Sequence, residues 1–557
     1  MPRGCRREPQ CPSTDRSRAT ATRLHPQEHD PDLAKRDGTI PKTMSTQHPD
    51  NAVSPAWSRG DVTEGDAELK EAYFAFEDLG CMEVMWDSEG KDVDTNVVRK
   101  LLSNYPDFFK KKVIGEDIFL TYRVPNPEVE VVERKILSQT LNSIPLSADV
   151  AQRVYNRDTV PVFEVILPFT SSGRQLTYLD EYYSNFVAGV EKQRMHSTTV
   201  GDWLGPFQPK RIEVIPLVED LENLLTVDII VTDYLKTAKV NEMRAFIARS
   251  DPALNYGLIP AVLLAKVALS KLKAVERKSG VRIHPIIGVG SKPFRGHLSP
   301  ENVPAFLEEY KGVTTVTVQS AFRYDYPLTM VKRAVSTLNS RLPYGEAATV
   351  EREDEAAIKS AIHKLMSSYQ DRIEHLAPLI TGVARYIPSR RARKLHIGLF
   401  GYSRQVKGVA MPRAIPFAGA FYSMGVPPEF IGASAIENMT DKEWNAVRKF
   451  YVNMAADFRS VSSLVSWQTI NLIRDSTRQL ARRTGMKADD LKKGVAELTA
   501  DLAAAEKALS LRLGPSGSAS RLHENYVNNF IISYTDEDDE DARIAITEAA
   551  KIRKCIG

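Results

Sequence analysis

Two short apolar runs of this chain are each followed by an acidic residue, and carboxylates of this kind bind divalent metal ions. Glu219 comes directly after the run 211–218, and Asp251 comes three residues after the run 243–248. Carboxylate oxygens suit Mg²⁺ or Mn²⁺, and Mg²⁺ usually takes one or two protein carboxylates together with oxygens of the substrate. The alternative is a pair of ordinary strand-end acids held in salt bridges. The pattern therefore indicates either a metal site or two structural ion pairs.

Basic side chains follow other apolar runs, and their types suit phosphate or carboxylate groups. Glycines let a backbone approach an anion closely, and guanidinium forks bind phosphate and carboxylate through paired hydrogen bonds. The loop 288–296 has two cations between glycines, but its spacing is not that of a Walker A phosphate loop, and a plain surface loop is the alternative. Three cations within ten otherwise small or apolar residues favour anion binding in 401–417. The candidate anion ligands are Lys292, Arg295, Arg323, Arg404, Lys407 and Arg413.

One histidine lies outside any helical or strand period. His48 stands between Gln47 and Pro49. A histidine in a loop can act as a general base near neutral pH, because its ordinary pKa is close to that range. A lone histidine more often has a structural role, so His48 is a candidate base that needs support from its surroundings.

Repeated βα units are the elements that would position these residues. Short β-branched runs alternate with longer helical stretches, which is typical of a parallel sheet. In a (β/α)₈ barrel the chemistry gathers at the C-terminal ends of the strands, so charged residues from different strand ends would meet in one pocket. The predicted fold class is α/β, a (β/α)₈ TIM-type barrel with additional helices. Predicted strands are 160–168, 211–218, 226–232, 243–248, 282–288, 313–319 and 395–400, and predicted helices are most of 44–110, 260–280, 347–380 and 486–513.

Composition is that of an ordinary globular protein. The chain has 557 residues, of which 43% are hydrophobic, and its net charge of +3 is too small to indicate nucleic-acid binding. A typical barrel takes about 250 residues, so roughly half of the chain must form extra helices and loops. No stretch approaches the ~20 uninterrupted apolar residues of a membrane span. Cys5, Cys11, Cys81 and Cys555 form neither a disulfide framework nor a metal-ligand spacing, which predicts a cytoplasmic protein.

The first 43 residues differ from the rest of the chain. They are rich in Arg, Pro, Asp, Ser and Thr and have almost no apolar residues, so we expect a disordered extension. Met44 begins the sequence that looks ordered and is the predicted true start, with a native disordered tail as the alternative. Residues 44–557 are then a single catalytic barrel domain with helical elaborations, and deleting 1–43 should change neither kinetics nor melting temperature.

Several motifs together resemble archaeal-type phosphoenolpyruvate carboxylase, the shorter form of that enzyme, which some bacteria also have. The resemblance covers roughly 44–557, and the order of several multi-residue motifs makes it specific. The motifs are Ser-Thr-Gln-His-Pro-Asp-Asn (45–51), the turn that begins at Trp86, Gly-Ser-Lys-Pro-Phe-Arg-Gly (290–296), Val-Gln-Ser-Ala-Phe-Arg-Tyr (318–324), Gly-Tyr-Ser-Arg (401–404) and Pro-Arg-Ala-Ile-Pro (412–416).

The resemblance implies a reaction and a set of roles. The family joins phosphoenolpyruvate and bicarbonate irreversibly to give oxaloacetate and phosphate, through carboxyphosphate and an enolate stabilised by Mg²⁺, and so supplies four-carbon dicarboxylic acids. It also implies a cytoplasmic homotetramer, with Mg²⁺ or Mn²⁺ as cofactor. The implied metal ligands are Glu219 and Asp251, the catalytic residues His48, Arg404 and Arg413, and the substrate-binding residues Lys292, Arg295, Arg323 and Lys407.

Comparison with the larger form of the enzyme shows matches and departures. Its Pro-Leu-Phe-Glu metal motif matches 216–219, and its Tyr-Ser-Asp-Ser metal motif matches 249–251 in part. The lysine that follows the larger form's metal-binding aspartate is replaced by Leu254. The larger form's doubled Arg-Gly-Gly loop is reduced here to Lys292 and Arg295-Gly296. One substrate-binding arginine has no clear counterpart, and Arg194 is a weak candidate for it.

Two other interpretations stay open. Another metal-dependent barrel that handles an enolate, such as an aldolase or phosphoenolpyruvate mutase, would share these carboxylates and cations but need no bicarbonate. A catalytically inactive barrel could act as a scaffold, because fold alone does not determine function. An inactive relative should have lost His48, Glu219, Asp251 or the arginines, and the chain retains them all.

Overall fold

Eight parallel strands close into a barrel in the computed structural model of this chain, and each pairs with the next barrel strand along the sequence. The strands are β1 (Thr43–Ser45), β2 (Glu83–Asp87), β3 (Phe119–Arg123), β4 (Glu164–Leu167), β5 (Glu213–Val218), β6 (Glu242–Ala248), β7 (Arg282–Gly288) and β8 (Thr315–Val318). β8 pairs with β1 and closes the barrel, with Thr43 opposite Val316. The predicted (β/α)₈ TIM-type barrel is confirmed. The structure describes residues 39–58, 60–88, 94–392 and 411–557, together with the backbone of 405–406 and 409–410.

Helices surround the barrel and form most of the chain after β8. No helix in the described ranges combines the length and apolar character needed to cross a membrane. Helices between barrel strands or just after β8 are Asp66–Glu77, Val97–Asn104, Pro106–Phe109, Arg134–Tyr155, Gly173–Tyr182, Val200–Leu204, Leu221–Leu225, Val227–Leu235, Ser250–Tyr256, Leu258–Ser279, Val303–Glu309 and Ser320–Tyr324. The later helices are Leu328–Arg341, Arg352–Ala384, Ala414–Ser423, Asp441–Phe450, Met454–Ser462, Trp467–Asp475, Thr477–Thr484, Ala488–Leu509, Ser518–Thr535 and Asp539–Arg553.

Most of the predicted elements are confirmed, but the strand predicted at 226–232 is wrong. That segment belongs to the helix Val227–Leu235. Its β-branched residues suggested a strand, yet the buried positions recur at spacings of three and four, and Ile229 on the opposite face is 64% exposed. The helical spacing of the buried face therefore outweighed the intrinsic preference of the residues. The buried residues of this helix are Val227, Ile230, Val231, Tyr234 and Leu235.

Three strands in the first part of the chain were not predicted. The segment 44–110 was expected to be mostly helical, but β1 overlaps its first residues, β2 lies within it, and β3 follows it. Trp86 and Asp87, placed in a polar turn from the sequence, are the last residues of β2. All thirteen residues of these three short strands are buried, so the strands show no alternation of exposed polar and buried apolar residues. The strand predicted at 395–400 lies outside the described residues.

The interior of the barrel is packed through most of its height. Near the N-terminal ends of the strands, the fully buried Arg244 donates to Glu83 at 2.7 and 2.8 Å and to Glu164 at 3.0 Å. An apolar layer lies above this cluster. Only the C-terminal end of the barrel is therefore available to a substrate, as in other barrels of this type. The apolar layer consists of Met44, Met85, Ile166, Ile215, Leu217, Phe246, Ala248 and Ile286.

The barrel also uses residues that precede Met44. Ile40 is buried, the carbonyl of Lys42 accepts a hydrogen bond of 2.9 Å from β8, and the Thr43 hydroxyl donates one of 2.7 Å. Residues 1–38 of the predicted extension lie outside the described residues. The start at Met44 stays a prediction, but a deletion that tests the extension should end at residue 38 instead of residue 43.

A chain that begins at Met44 is expected to be less stable than one that begins at residue 39. It lacks the buried Ile40 side chain and the hydrogen bonds of Lys42 and Thr43, which together contribute about 3 kcal/mol to the free energy of unfolding. Chemical denaturation of the two truncated proteins measures the difference. Equal free energies of unfolding would show that these residues do not support the barrel.

Candidate active site

Glu219 lies at the C-terminal end of β5 and faces the barrel mouth. Ile215 and Leu217 point into the interior layer, and side chains alternate along a strand, so Glu219 continues the inward-facing set. Its side chain is buried, and its Oε2 accepts the N–H of Phe169 at 2.9 Å. Phe169, in the turn after β4, has a φ of 52°, a conformation that residues with a side chain seldom adopt. This turn fixes one carboxylate oxygen of Glu219.

Asp251 follows the neighbouring strand. It lies in the first turn of the helix Ser250–Tyr256, directly after β6, and is half-buried. β5 and β6 pair with Val218 opposite Ile247, so the two carboxylates leave adjacent strands at the same end of the barrel. Within the described ranges, no group of three or more His, Cys, Asp or Glu side chains could hold a metal ion. A pair of carboxylates still fits Mg²⁺, because this ion keeps several water or substrate oxygens in its coordination sphere.

His48 lies in the loop after β1. The residue is half-buried, and its Nδ1 lies 2.9 Å from the hydroxyl oxygen of the buried Thr46. The side chain of Gln47 accepts the N–H of Asp87 at 3.1 Å, which ties this loop to the end of β2. The contact of Nδ1 with Thr46 orients the ring, so Nε2 is the atom that we assign as the candidate base.

Arg295 connects three loops of the barrel mouth. Its guanidinium is 1% exposed and donates from Nη1 to Asp50 Oδ2 at 3.0 Å, from Nη2 to Gln319 Oε1 at 2.5 Å, and from Nε to Ser250 Oγ at 3.1 Å. Burial raises the pKa of Asp50, and the charge of Arg295 opposes that effect. Asp50 comes two residues after His48, and Ser250 directly precedes Asp251. One arginine therefore holds the loop of the candidate base beside the loop of a candidate metal ligand.

Arg323 is engaged by protein groups in a similar way. It is buried, and it donates to Ser45 Oγ at 2.6 Å, to the carbonyl of Thr46 at 2.9 Å and to Glu71 Oε1 at 2.9 Å. A third hydrogen bond from Nη2, of 3.0 Å, reaches Ser320. The structure thus places Arg323 behind the loop of His48, where it holds β1 against the end of β8.

Lys292 and Arg413 lie near the same end of the barrel. Burial lowers the pKa of the Lys292 ammonium, while the neighbouring Cys555 and Glu429 raise it. Arg413 is half-buried at the start of the helix Ala414–Ser423. Among the residues that the structure describes, Lys292 has no ion pair or hydrogen bond from its ammonium, so this cation is available to an anion. Arg404 and Lys407 lie outside the described residues.

An ion pair at the barrel mouth was missed from the sequence. Arg123, the last residue of β3, donates from Nε and Nη2 to the two oxygens of Asp87 at 3.0 and 2.6 Å, and both residues are buried. The signal was present, because Arg123 ends an apolar run, but the run was not recognised as a strand. Arg194 instead lies exposed on the small hairpin Arg194–Met195 and Thr198–Thr199.

The last residues of the chain complete the site. Residues 555–557 are buried, the N–H of Ile556 donates to the carbonyl of Asp50 at 2.8 Å, and Arg295 Nη1 donates to Gly557 O at 2.9 Å. A Cβ on Gly557 would lie 2.1 Å from the carbonyl oxygen of Ile415, so only glycine fits there. The terminus therefore shares Asp50 and Arg295 with the loop of His48.

Removing Gly557 is expected to lower kcat about tenfold with little change in melting temperature. Arg295 loses one acceptor, a contact worth about 1.4 kcal/mol, and the loops that it joins lose part of their alignment. Gly557→Ala should act in the same direction, because the added methyl group displaces the terminus. Steady-state kinetics and thermal unfolding measure both effects, with the exposed Lys551→Ala as the control. Parent kinetics in both Gly557 variants would show that the terminus does not align the site.

Known proteins match this chain over most of its length. A family model described as phosphoenolpyruvate carboxylase matches residues 40–557. The chain is 46% identical to the phosphoenolpyruvate carboxylase of Metallosphaera sedula and 44% identical to that of Caldivirga maquilingensis, each over 519 residues that cover 93% of this chain and 99% of the relative. The enzyme of Picrophilus torridus is 44% identical with the same coverage. Enzymes of this family are metal-dependent. The chain therefore belongs to the archaeal-type phosphoenolpyruvate carboxylase family.

Proposed function

We propose that phosphoenolpyruvate is carboxylated at the barrel mouth, with Mg²⁺ or Mn²⁺ bound by Glu219 and Asp251. The observation that carries this proposal is the bridge formed by Arg295, which joins Asp50 in the loop of His48 to Ser250 beside Asp251. When bound, the metal ion would neutralise charge on the phosphate and carboxylate of the substrate and on the enolate oxygen. The carboxylates leave adjacent strands at the open end of the barrel, which supports this assignment.

The predicted anion-binding cations are proposed to serve two roles, substrate binding and the positioning of loops. Lys292 and Arg413 are proposed to bind the phosphate or carboxylate of the substrate, together with Arg404 and Lys407, which the family resemblance assigns. Arg123 is proposed as the substrate-binding arginine that the sequence left unplaced, since it is buried at the mouth. Asp87 already accepts hydrogen bonds from its Nε and Nη2, so Arg123 would act on the substrate through its positive charge.

Arg295 and Arg323 remain predicted substrate ligands by resemblance. Their hydrogen bonds to protein groups support a second role, in which they hold the loops of His48 and Asp251 in place. A group that is already bonded can still contribute its positive charge to a neighbouring anion.

His48 is proposed as the base that acts between two chemical steps. A bicarbonate oxygen attacks phosphorus, the bond from phosphorus to the enol oxygen breaks, and carboxyphosphate and the enolate of pyruvate result. His48 Nε2 then takes the carboxyl proton of carboxyphosphate, whose C–O bond to phosphate breaks to release CO₂ and phosphate. The enolate carbon attacks CO₂ to form oxaloacetate. Water must be excluded meanwhile, because it would protonate the enolate to pyruvate.

Bicarbonate-dependent formation of oxaloacetate tests the reaction. The assay supplies phosphoenolpyruvate, bicarbonate and Mg²⁺ and couples oxaloacetate to malate dehydrogenase, so that NADH loss reports the rate. A rate that needs all three components is expected. Pyruvate and phosphate without oxaloacetate would favour the alternative of another enolate-handling barrel lyase, and folded protein without any reaction would favour a scaffold.

A cytoplasmic homotetramer is proposed on the family resemblance. The chain has a mass of 62.3 kDa, so light scattering during gel filtration should give about four times that value. A monomer mass at working concentration would overturn the tetramer without affecting the proposed chemistry.

A further inference from the structure

A cavity of about 330 Å³ lies outside the barrel mouth, in the layer between the barrel and its helices. Leu167 of β4 forms part of its wall together with Leu137 and Leu179. The two helix residues belong to Arg134–Tyr155 and Gly173–Tyr182. Ile166 points into the barrel interior, so Leu167, the next residue, points outward toward the helices. The cavity is therefore separate from the mouth that Glu219 faces.

The cavity combines apolar walls with an aromatic side. Leu137, Leu167 and Leu179 are buried, while Tyr178, which also lines the cavity, is 55% exposed. Tyr182 also lines the cavity, and its hydroxyl lies 2.9 Å from Ser138 Oγ. Such walls suit a flat apolar group, which would stack against a tyrosine ring and displace water from the leucines.

The rim of the cavity is positively charged. Arg134 and Lys135 line it, and the guanidinium carbon of Arg174 lies 5.7 Å above the ring of Tyr178. All three are exposed, and none forms an ion pair within the described ranges. The acid that lines the cavity, Glu128, accepts a hydrogen bond of 2.7 Å from Gln175. Glu128 keeps its negative charge because Gln175 is neutral, so two cations and one carboxylate line the cavity. Together with the nearby Arg174 they give the rim a net positive charge that would attract an anionic group.

A short path of contacts connects the cavity to Glu219. Asn126 lines the cavity and donates from Nδ2 to the carbonyl of Pro168 at 2.9 Å, and the next residue, Phe169, donates its N–H to Glu219 Oε2 at 2.9 Å. Leu167, which also lines the cavity, directly precedes this turn. The left-handed backbone of Phe169 persists only because its surroundings hold it, so the turn should respond to changes at Asn126 or Leu167.

We propose that this cavity binds a small aromatic carboxylate and that its occupancy changes the affinity of the active site for a divalent metal ion. The apolar walls would take the ring, and the rim cations would take the carboxylate. A ligand that shifts Asn126 or Leu167 moves the turn at Phe169 and so reorients Glu219. The second half of this proposal rests on the proposed role of Glu219 as a metal ligand.

Titration with 2-naphthoate tests the proposal on the full-length protein. Calorimetry gives the number of sites and the dissociation constant of the probe, with and without Mn²⁺, and electron paramagnetic resonance gives Mn²⁺ affinity with and without the probe. One site per chain is expected. Because coupling between two sites is reciprocal, the probe and Mn²⁺ should change each other's dissociation constant by the same factor, of about threefold or more.

Variants at the cavity test whether 2-naphthoate binds there. Lys135→Glu should weaken 2-naphthoate binding about tenfold, and Leu179→Trp should abolish it by filling the cavity. Lys487→Glu, an equivalent charge reversal at an exposed site before another helix, should leave binding unchanged. Because Lys135 is exposed, its variant should fold even if Leu179→Trp does not.

Three outcomes would overturn the proposal or part of it. No binding, or binding that Lys135→Glu leaves unchanged, would overturn the cavity as the site. Binding that Lys135→Glu weakens but that does not change Mn²⁺ affinity would overturn the coupling. In Glu219→Gln the probe should still bind while the coupling disappears. If Glu219→Gln leaves Mn²⁺ affinity at the parent value, Glu219 is not a metal ligand. The effect of Lys135→Glu on 2-naphthoate binding still decides whether the cavity is the binding site.

Discussion

Replacing Glu219 with glutamine is expected to lower kcat by at least about a thousandfold while the fold stays intact. The substitution removes one of two carboxylates proposed to bind the metal ion that stabilises the enolate and the transferred phosphoryl group. The amide oxygen of glutamine can still accept the N–H of Phe169, which the carboxylate accepts at 2.9 Å. The loss should therefore come from the missing charge and not from a displaced turn.

Direct metal binding separates this explanation from a general defect. Mn²⁺ affinity, measured by electron paramagnetic resonance, should fall together with kcat in Glu219→Gln and in Asp251→Asn, while both proteins melt near the parent temperature. Glu222→Gln is the matched control, because it makes the same change at an exposed position three residues away. Near-normal turnover in Glu219→Gln would remove Glu219 from the metal site.

The positions of the two proposed metal ligands at strand ends could be predicted from the sequence, because each depends on the local order of residues along its own strand. An apolar run that ends in an acid predicts a strand end, and strand ends of a barrel meet at one mouth. Glu219 follows β5 as the pattern indicated. Its side chain points toward the barrel axis because Ile215 and Leu217, at alternate positions before it, do the same. The strand wrongly predicted at 226–232 also came from a local pattern. Its β-branched residues suggested a strand, but they lie on a helix whose buried face was not recognised.

Whether each cation is already bonded to protein groups could not be predicted in this way. Type and spacing identify Arg295 and Arg323 as able to bind anions, but not whether other groups already accept their hydrogen bonds. The acidic acceptors lie far away in the sequence: Asp50 is 245 residues from Arg295, and Glu71 is 252 residues from Arg323. Contacts at such separation exist only once the barrel has closed, so they became visible only in the structure.

Replacing His48 with asparagine is expected to separate the two halves of the reaction. Bicarbonate should still attack the phosphorus of phosphoenolpyruvate, because His48 has no proposed part in that step. Without the base, carboxyphosphate loses its proton slowly, and the enolate is protonated before CO₂ forms beside it. Oxaloacetate formation should fall by a factor of about 10² to 10⁴, the usual contribution of a general base, while phosphate and pyruvate continue to appear.

The measurement is the ratio of phosphate released to oxaloacetate formed, which should rise from about one in the parent enzyme to well above one in His48→Asn. Asparagine can still hydrogen-bond to the hydroxyl of Thr46, which lies 2.9 Å from the imidazole Nδ1, so the loop should keep its position. His363→Asn, an exposed change on the helix Arg352–Ala384, should keep both the parent rate and the parent ratio. Oxaloacetate at the parent rate in His48→Asn would show that another group takes the proton. An equal fall in phosphate and oxaloacetate would instead place His48 in the first step, because a residue that acts only after carboxyphosphate has formed cannot slow its formation.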